Sequence, residues 1–315
     1  MKKALAIDIG GTKIYNAIVD ETGHIVSEVV KQPTPKTLDE IQLVLRKIIA
    51  DYENGVDVIA IATAGVVNKE NTAVIGSTGN IADGYACLNF QDLSKKKVFV
   101  ENDANAAAWA EHLVGVSKGC ADSILLTLGT GVGGGIIVDN RILKGKNGGA
   151  GEMHFKLSTE KRRRCTCGAF DCFEAYASGT GLQITAREET KLPSVTTYDV
   201  IDEVKEVLKL TQMLEGKKTL IERLRLCIED NYVDAFLRWQ DDILAGCVGL
   251  ANIFDPAMIV LSGSMAEFVD VEYLEAEVNN QIVATPLQVR RATAGNYAGM
   301  IGAAFLALGV EEVSA

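Results

Sequence analysis

The sequence predicts an α/β protein in which one fold is used twice. Two segments share a pattern, Ala4–Lys13 and Ile124–Gly133, each an apolar strand running into a Gly/Thr turn that leads to a second apolar strand. An Asp stands ten residues beyond the first glycine of each turn, Gly10 to Asp20 and Gly129 to Asp139. The continuous apolar runs Val56–Ala62 and Met258–Leu261 read as strands covered on both faces. With 315 residues, 48% of them hydrophobic, the chain can bury a core in each of two domains.

The first copy opens as a meander of Ala4–Ile9, Ile14–Asp20 and His24–Val30, the last two strands joined at Glu21-Thr-Gly23. Thr37–Asn54 is expected to be helical because Ile41, Val44, Leu45, Ile48 and Ile49 fall on one face. Val98–Val100 is a short strand ending at Glu101-Asn-Asp103, and Ala-rich Ala104–Leu113 is helical. The second copy starts at Ser123. Helices are expected over 173–189, through the charged stretch 197–231 and over 233–254, and the strand Met258–Leu261 ends at Ser262-Gly-Ser264. The uncharged run Ala292–Val310 reaches membrane-span length, but Asn296 and its glycines favour a buried helix near Met300–Leu308. No linker marks a boundary. The repeat places it between Asp103 and Asp122, which gives an N-terminal α/β domain at 1–118, with residues near the C-terminus packing back on it, and a C-terminal one at 119–315 containing the helical segment 197–254.

The net charge of −11 and a pI near 4.9 exclude the basic face that nucleic acid requires. Lys95–Lys97, Lys161–Arg164 and Arg290-Arg291 are short clusters expected at solvated edges. The apolar run after Lys2-Lys3 is too short for a signal-peptide core, and no transmembrane segment is read, so a cytoplasmic protein is expected. In that setting seven cysteines are not a disulfide framework. Cys87, Cys120, Cys227 and Cys247 stand alone as ordinary core residues, whereas Cys165, Cys167 and Cys172 cluster.

Three constellations carry chemistry. A tight glycine turn between strands brings backbone N–H groups to its tip, and such concavities bind phosphate. One such turn alone reads as a plain hairpin; two in matching register, with Asp8 before the first and Gly133–Gly135 closing the second, suggest a nucleotide gripped from both sides. Neither is a Walker A loop. Asp8 is suited to holding Mg²⁺ through water. Asp103, between a strand end and a helix start, either caps the helix or accepts a proton from an attacking hydroxyl. His154 lies eleven residues before Cys165, which with Cys167 and Cys172 makes four potential zinc ligands in a closed structural site. Coincidental thiols and a redox pair are the alternatives, the latter lacking a Cys-x-x-Cys spacing. Glu152 and Glu174 flank this cluster and could accept hydrogen bonds from sugar hydroxyls.

Taken together, Asp8-Ile-Gly-Gly-Thr-Lys13, Glu101-Asn-Asp-Ala-Asn105, Leu128-Gly-Thr-Gly-Val-Gly-Gly-Gly135, Gly151-Glu152 with His154, and Cys165-x-Cys-Gly-x-x-x-Cys-x-Glu174 resemble the ROK family of sugar kinases and repressors, within the actin-like ATPase superfamily. The likeness covers nearly the whole chain. It implies two ribonuclease H-like domains of the actin/hexokinase type with a cleft between them. ATP would lie against Gly10, Gly11, Thr12, Lys13, Gly129, Thr130, Gly131, Gly133, Gly263 and Ser264, with Asp8 near Mg²⁺. Asp103 would be the base for a sugar 6-hydroxyl, while Gly65, Asn80, Asn102, Glu152, His154 and Glu174 would hold the sugar. His154, Cys165, Cys167 and Cys172 would bind structural Zn²⁺ in a loop over 152–174. The run Cys172–Thr180 looks most like the glucokinase branch; an N-acetylhexosamine kinase acting on N-acetylmannosamine or N-acetylglucosamine is the alternative. A sugar-responsive repressor is a further one, for which the chain shows no DNA-binding segment ahead of its first strand. Similar proteins are commonly homodimers or homotetramers. Two departures stand out. The family usually has Glu-x-x-His where this chain has Glu152-Met-His154, and Gly before the third cysteine where this chain has Asp171.

Overall fold

The computed structural model describes residues 1–76, 81–216, 218–226 and 230–311. In chain order the strands are β1 Lys3–Ile9, β2 Lys13–Asp20, β3 Val30–Pro33, β4 Val58–Thr63, β5 Val66–Val67, β6 Val74–Gly76, β7 Val98–Asn102, β8 Ser123–Leu128, β9 Val132–Val138, β10 Arg141–Ile142, β11 Met258–Ser262 and β12 Gln288–Arg291. The helices are α1 Leu38–Tyr52, α2 Asp103–Val114, α3 Glu174–Ala177, α4 Gly179–Thr190, α5 Thr197–Leu210, α6 Leu220–Leu224, α7 Asn231–Phe254, α8 Val271–Gln281 and α9 Ala298–Leu308. Two five-stranded sheets have the orders β3-β2-β1-β4-β7 and β10-β9-β8-β11-β12. In the first, β3, β2 and β1 pair antiparallel and β1, β4 and β7 pair parallel. The second has an antiparallel β9–β10 pair and a parallel β11–β12 pair. This is the ribonuclease H-like plan, used twice.

The chain divides into two compact units, one of residues 1–125, 134–152 and 292–315, the other of residues 126–133 and 153–291. In the first unit, strand alternation sorts side chains by size. Leu5, Ile7 and Ile9 of β1 and Ile59 and Ile61 of β4 meet Ile41, Leu45, Ile48 and Ile49 of α1. On the opposite face, Ala4, Ala6, Ala60 and Ala62 lie against Ala106 of α2 and Met300, Ala303 and Ala304 of α9. The small residues let helix and sheet backbones come close. A Cβ on Gly302 would stand 1.7 Å from the Ala106 carbonyl, so α2 and α9 touch through main chain. Asp8 falls on this alanine face, two residues beyond Ala6, because side chains alternate along a strand.

Caps set the helix starts. Thr37 accepts from the Glu40 amide to open α1, and Asn102 accepts from the Ala104 and Asn105 amides to open α2. In the second unit α7 is the central helix, capped by Asp230, with Phe236, Trp239, Ile243 and Cys247 buried. Trp239 donates its indole N–H to the Ala177 carbonyl at 2.8 Å.

Several elements differ from the expectation. The third strand is Val30–Pro33 rather than His24–Val30. The Ile18 amide donates to the Ser27 hydroxyl at 2.8 Å instead of a strand carbonyl, which interrupts the ladder until Val30. The helix expected over 173–189 is two, broken at Ser178, whose hydroxyl caps α4 by accepting from the Gly181 amide. The 197–231 stretch holds α5 and α6, separated at Thr211. Arg163 is buried rather than at a solvated edge. Cys247 is buried as expected and Cys120 is half-buried, while Cys227 and the Cys87 side chain lie outside the described residues. Among the described residues no helix is long and apolar enough to cross a membrane, and Ala298–Leu308 forms the buried helix.

Candidate active site

In the first unit, parallel pairing puts the ends of β1, β4 and β7 side by side, with Asp8 opposite Ala62 and Asn102 opposite Thr63. Asp103 is the first residue of α2, so it stands next to Asp8 at the carboxyl ends of the strands. Gly299, near the start of α9, closes this corner; a Cβ there would lie 3.5 Å from the Asp8 carboxylate and 3.8 Å from the Asp103 carbonyl. Burial pushes Asp8 up to about 7, and the nearby Asp103 charge adds to the rise. Asp103 is raised by desolvation and, after the lowering effect of the Ala104 amide it accepts at 2.9 Å, by the charge of Glu152. Tyr85 shares the field of both carboxylates, its hydroxyl 2.8 Å from that of Thr63, and desolvation holds its ionisation well above the usual range. Three acidic groups thus converge where a basic atom or a cation would relieve their repulsion.

Of the two readings of Asp103, cap or base, the N-cap position of α2 belongs to Asn102. Its Oδ1 accepts from the Ala104 and Asn105 amides, both at 3.0 Å, and its Nδ2 donates to the Gly65 carbonyl at 3.1 Å. Gly65 has φ +105° and a Cβ would stand 2.7 Å from the Gly76 carbonyl, so only glycine serves there. Asn80 lies outside the described residues.

A network that the sequence did not reveal holds this strand end. Glu101, fully buried, accepts through Oε1 from the Asn102 amide at 3.0 Å and from Asn105 Nδ2 at 3.2 Å. Its Oε2 accepts from Asn71 Nδ2 at 3.0 Å and pairs with Lys144 at 2.5 Å. Lys144 also donates to Asn71 Oδ1 at 2.8 Å. A carboxylate in the Glu-Asn-Asp motif was the only hint, since Asn71 and Lys144 are remote in sequence.

Of the first turn, Gly10 is closed by its own hairpin, its amide donating to the Lys13 carbonyl at 3.0 Å. Thr34, just beyond β3, holds it with its hydroxyl donating to the Gly10 carbonyl at 2.6 Å and its amide to the Thr12 carbonyl at 3.0 Å. Gly11 is part-buried, and Thr12 and Lys13 are exposed.

The second unit carries the other turn. Three of its amides are taken internally: Gly129 donates to the Gly131 carbonyl at 3.0 Å, Val132 to Glu174 Oε2 at 3.1 Å and Gly133 to the Thr127 hydroxyl at 3.1 Å. Among the described residues, nothing beyond its own chain neighbours lies within 4 Å of where a Gly129 Cβ would stand, whereas one on Gly131 would meet Glu174 Oε2 at 2.6 Å. The start of α4 abuts the turn, with Gly179 donating to the Gly129 carbonyl and Thr180 to that of Thr130, both at 2.8 Å. Gly263, with φ +88°, passes so near the Leu128 carbonyl that a Cβ would come within 2.3 Å, which sets Gly263-Ser264 beside Gly129.

His154, Cys165, Cys167 and Cys172 converge, their ligand atoms all within 4.8 Å of one another. His154 Nδ1 is 3.5 Å from Cys165 Sγ, and the Cys167 and Cys172 sulfurs are 3.6 Å apart. A tetrahedral ion about 2.0–2.3 Å from each ligand would space them by roughly 3.5–3.8 Å. The donor set and its spacing fit a zinc ion, and the short Glu152-Met-His154 link does not keep His154 away. Asp171 takes φ +58°, the region that favours glycine. Its Oδ1 accepts from the Arg162 amide at 3.1 Å, the Arg163 amide at 2.9 Å and the Tyr176 hydroxyl at 2.7 Å. Three hydrogen bonds offset the backbone cost and fasten the loop. Arg163 stacks on Tyr176 at 4.4 Å and reaches Thr185 and Glu188 of α4. Burial pushes the Cys165 thiol up to about 12, so metal uptake here releases protons.

Residues 4–310 match the model of the ROK family. A glucokinase of Streptomyces coelicolor is 33% identical, the match covering 98% of each chain. An N-acetylmannosamine kinase of Escherichia coli is 30% identical over 79% of this chain and 84% of its own. The crystal structure of a ROK family glucokinase from Streptomyces griseus in complex with glucose and AMPPNP superposes with a TM-score of 0.74 at 31% identity, covering 98% of this chain and 99% of that one. With its sheets, its paired carboxylates and its Cys/His loop all in the expected order, this chain belongs to the ROK family.

Proposed function

We propose that the protein is an ATP-dependent sugar kinase that transfers the γ-phosphate to the 6-hydroxyl of a hexose, in the manner of a glucokinase. The observation that carries this reading is the pairing of Asp8 and Asp103 at adjacent strand ends, both with raised ionisation, in a chain alike over 98% of its length to a glucokinase bound to glucose and an ATP analogue. Asp103 accepts the proton of the attacking hydroxyl and orients it; a raised affinity for a proton suits that task. Asp8 would hold the magnesium of the nucleotide through water, which would supply charge neutralisation at the phosphates. Each unit carries its own candidate phosphate turn, Gly10–Lys13 in the first and Gly129–Gly133 with Gly263-Ser264 in the second. The candidate sugar ligands are Gly65, Asn102 and Glu152 in the first unit and His154 and Glu174 in the second. Zinc bound by His154, Cys165, Cys167 and Cys172 is structural, since a closed Cys₃His set leaves no position for substrate.

ADP release coupled to glucose, with Asp103→Asn lowering turnover by about 10²–10⁴ while glucose affinity changes little, is the expected result. Normal turnover in that variant would remove Asp103 as the base, and silence across a panel of hexoses and N-acetylhexosamines would end the kinase reading. A second substrate class, N-acetylmannosamine or another N-acetylhexosamine, is supported by the 30% identical kinase. The same panel separates the two by kcat/KM.

A further inference from the structure

Glu174 occupies a position that its expected role as a sugar ligand does not explain. Both of its carboxylate oxygens are engaged by protein. Oε2 accepts the Val132 amide at 3.1 Å, 42 residues away in sequence and inside the second glycine turn. Oε1 accepts the Thr166 hydroxyl at 2.5 Å and lies 3.4 Å from Cys165 Sγ. Thr166 sits between two of the Cys/His donors, and Cys172 comes two residues before Glu174. Gly131 is bare where a side chain would strike this carboxylate, so the glycine there serves contact with Glu174 and not a left-handed backbone.

We propose that Glu174 is a positioning residue that ties the metal loop to the phosphate turn, so that metal binding at the Cys/His cluster and nucleotide binding at Gly129–Gly133 are thermodynamically linked. The inference rests on the ATP and zinc assignments above. A metal ion fixes Cys165 and Cys172, and through them Thr166 and the start of α3. That in turn holds the carboxylate in line with the Val132 amide and keeps the turn in one shape. Without the metal, the loop keeps its Asp171 hydrogen bonds, its Arg163 anchors and the apolar contacts of Leu157 with Cys165, Cys172, Ala175 and Tyr176, but none of these reaches the Thr166 hydroxyl. Glu174 and Thr166 then lose their fixed geometry, and a bound nucleotide has to order the turn itself. Linkage is reciprocal, so nucleotide must tighten metal binding by the same factor.

The coupling is measured on the full chain as the zinc affinity, by competition with a chromophoric chelator, without and with saturating Mg-AMPPNP. Nucleotide is expected to tighten zinc about fivefold or more in the wild type. Thr166 is exposed, so Thr166→Val removes the hydroxyl without opening a core, and the ratio should fall to within about twofold of one. Thr166→Ser, which keeps the hydroxyl, should restore it. A wild-type ratio near one, or an undiminished ratio in Thr166→Val, would overturn the link while leaving the kinase and its zinc site intact. A protein that takes up no zinc, or no AMPPNP, would overturn both the link and the reading beneath it.

Discussion

Asp8 is buried beside Asp103 in a corner lined by Tyr85, Thr63 and Gly299, and the fold bears the cost of its desolvation and, after it, of the Asp103 charge. Asp8 binds its proton more tightly folded than unfolded, at about 7 against an ordinary 3.8. Its contribution to stability is therefore complete below pH 3.8 and is lost as the pH rises through about 7. Ligand-free protein should accordingly melt at lower temperature at pH 8 than at pH 5.5. Asp8→Asn should flatten that slope and melt about 2–4 °C above wild type at pH 8, read by calorimetry across the range. An unchanged slope would show that Asp8 is not held protonated by its burial and by Asp103. Asp20 behaves in the opposite sense. It accepts from Thr22 and His24 at the first hairpin, and these hydrogen bonds outweigh burial and lower its ionisation. The Asp that recurs ten residues after each glycine turn is thus a turn former at the far end of the hairpin. Asp139 also stands at a turn, between β9 and β10, but with φ +49° and its own amide donating to Asp122 Oδ1.

Elements are positioned by what is small. The alanine face of β1 and β4, and the bare Cα atoms of Gly299 and Gly302, set α9 against the sheet and against α2, and so bring the α2 start to Asp8. Gly302→Ala would drive a methyl into the Ala106 carbonyl, with no flexible side chain to give way. A loss of about 1–3 kcal/mol or more is expected in urea denaturation, with turnover falling as the α2 start shifts. Gly135, which reads in sequence as part of a phosphate turn, serves the same purpose. A Cβ there would meet the Ala104 carbonyl at 2.6 Å, so it makes room for α2 rather than for a phosphate. Strand β7 runs on through Glu101 and Asn102 because Asn71 and Lys144 satisfy the Glu101 carboxylate, a contact no local pattern announces.

At the scale of the molecule, the first unit is assembled from three stretches of chain, the last of them 292–315. Its alanine face, met by Ala106 of α2, is completed only when Met300, Ala303 and Ala304 of α9 are made. Glu111, fully buried, fastens that return by accepting from the Thr293 amide at 2.8 Å and the Ala294 amide at 2.6 Å. Truncation before Ala292 should leave the first unit unfolded by hydrogen exchange, even though residues 1–125 contain its whole sheet. Metal analysis of the purified chain should find about one zinc, and Cys165→Ser should lose it with a lowered melting temperature.

Sequence alone determined the duplicated α/β plan and the two glycine turns, and it singled out Asp103 as a candidate base and His154, Cys165, Cys167 and Cys172 as candidate metal donors. Each is written locally: alternation along a strand, a 3.6-residue stripe along a helix, or donors a few positions apart. It also foresaw the C-terminal helix, from the apolar run ending at Leu308. Tertiary structure decided what depends on residues far apart in the chain. It gave the α2 cap to Asn102, buried Arg163 beneath the metal loop, and broke the third strand at Ser27. It joined Lys144 and Asn71 to Glu101 and turned Glu174 toward Val132. A side chain's partner across forty or seventy residues is chosen by packing and by the need to satisfy buried charge, and neither leaves a period in the sequence.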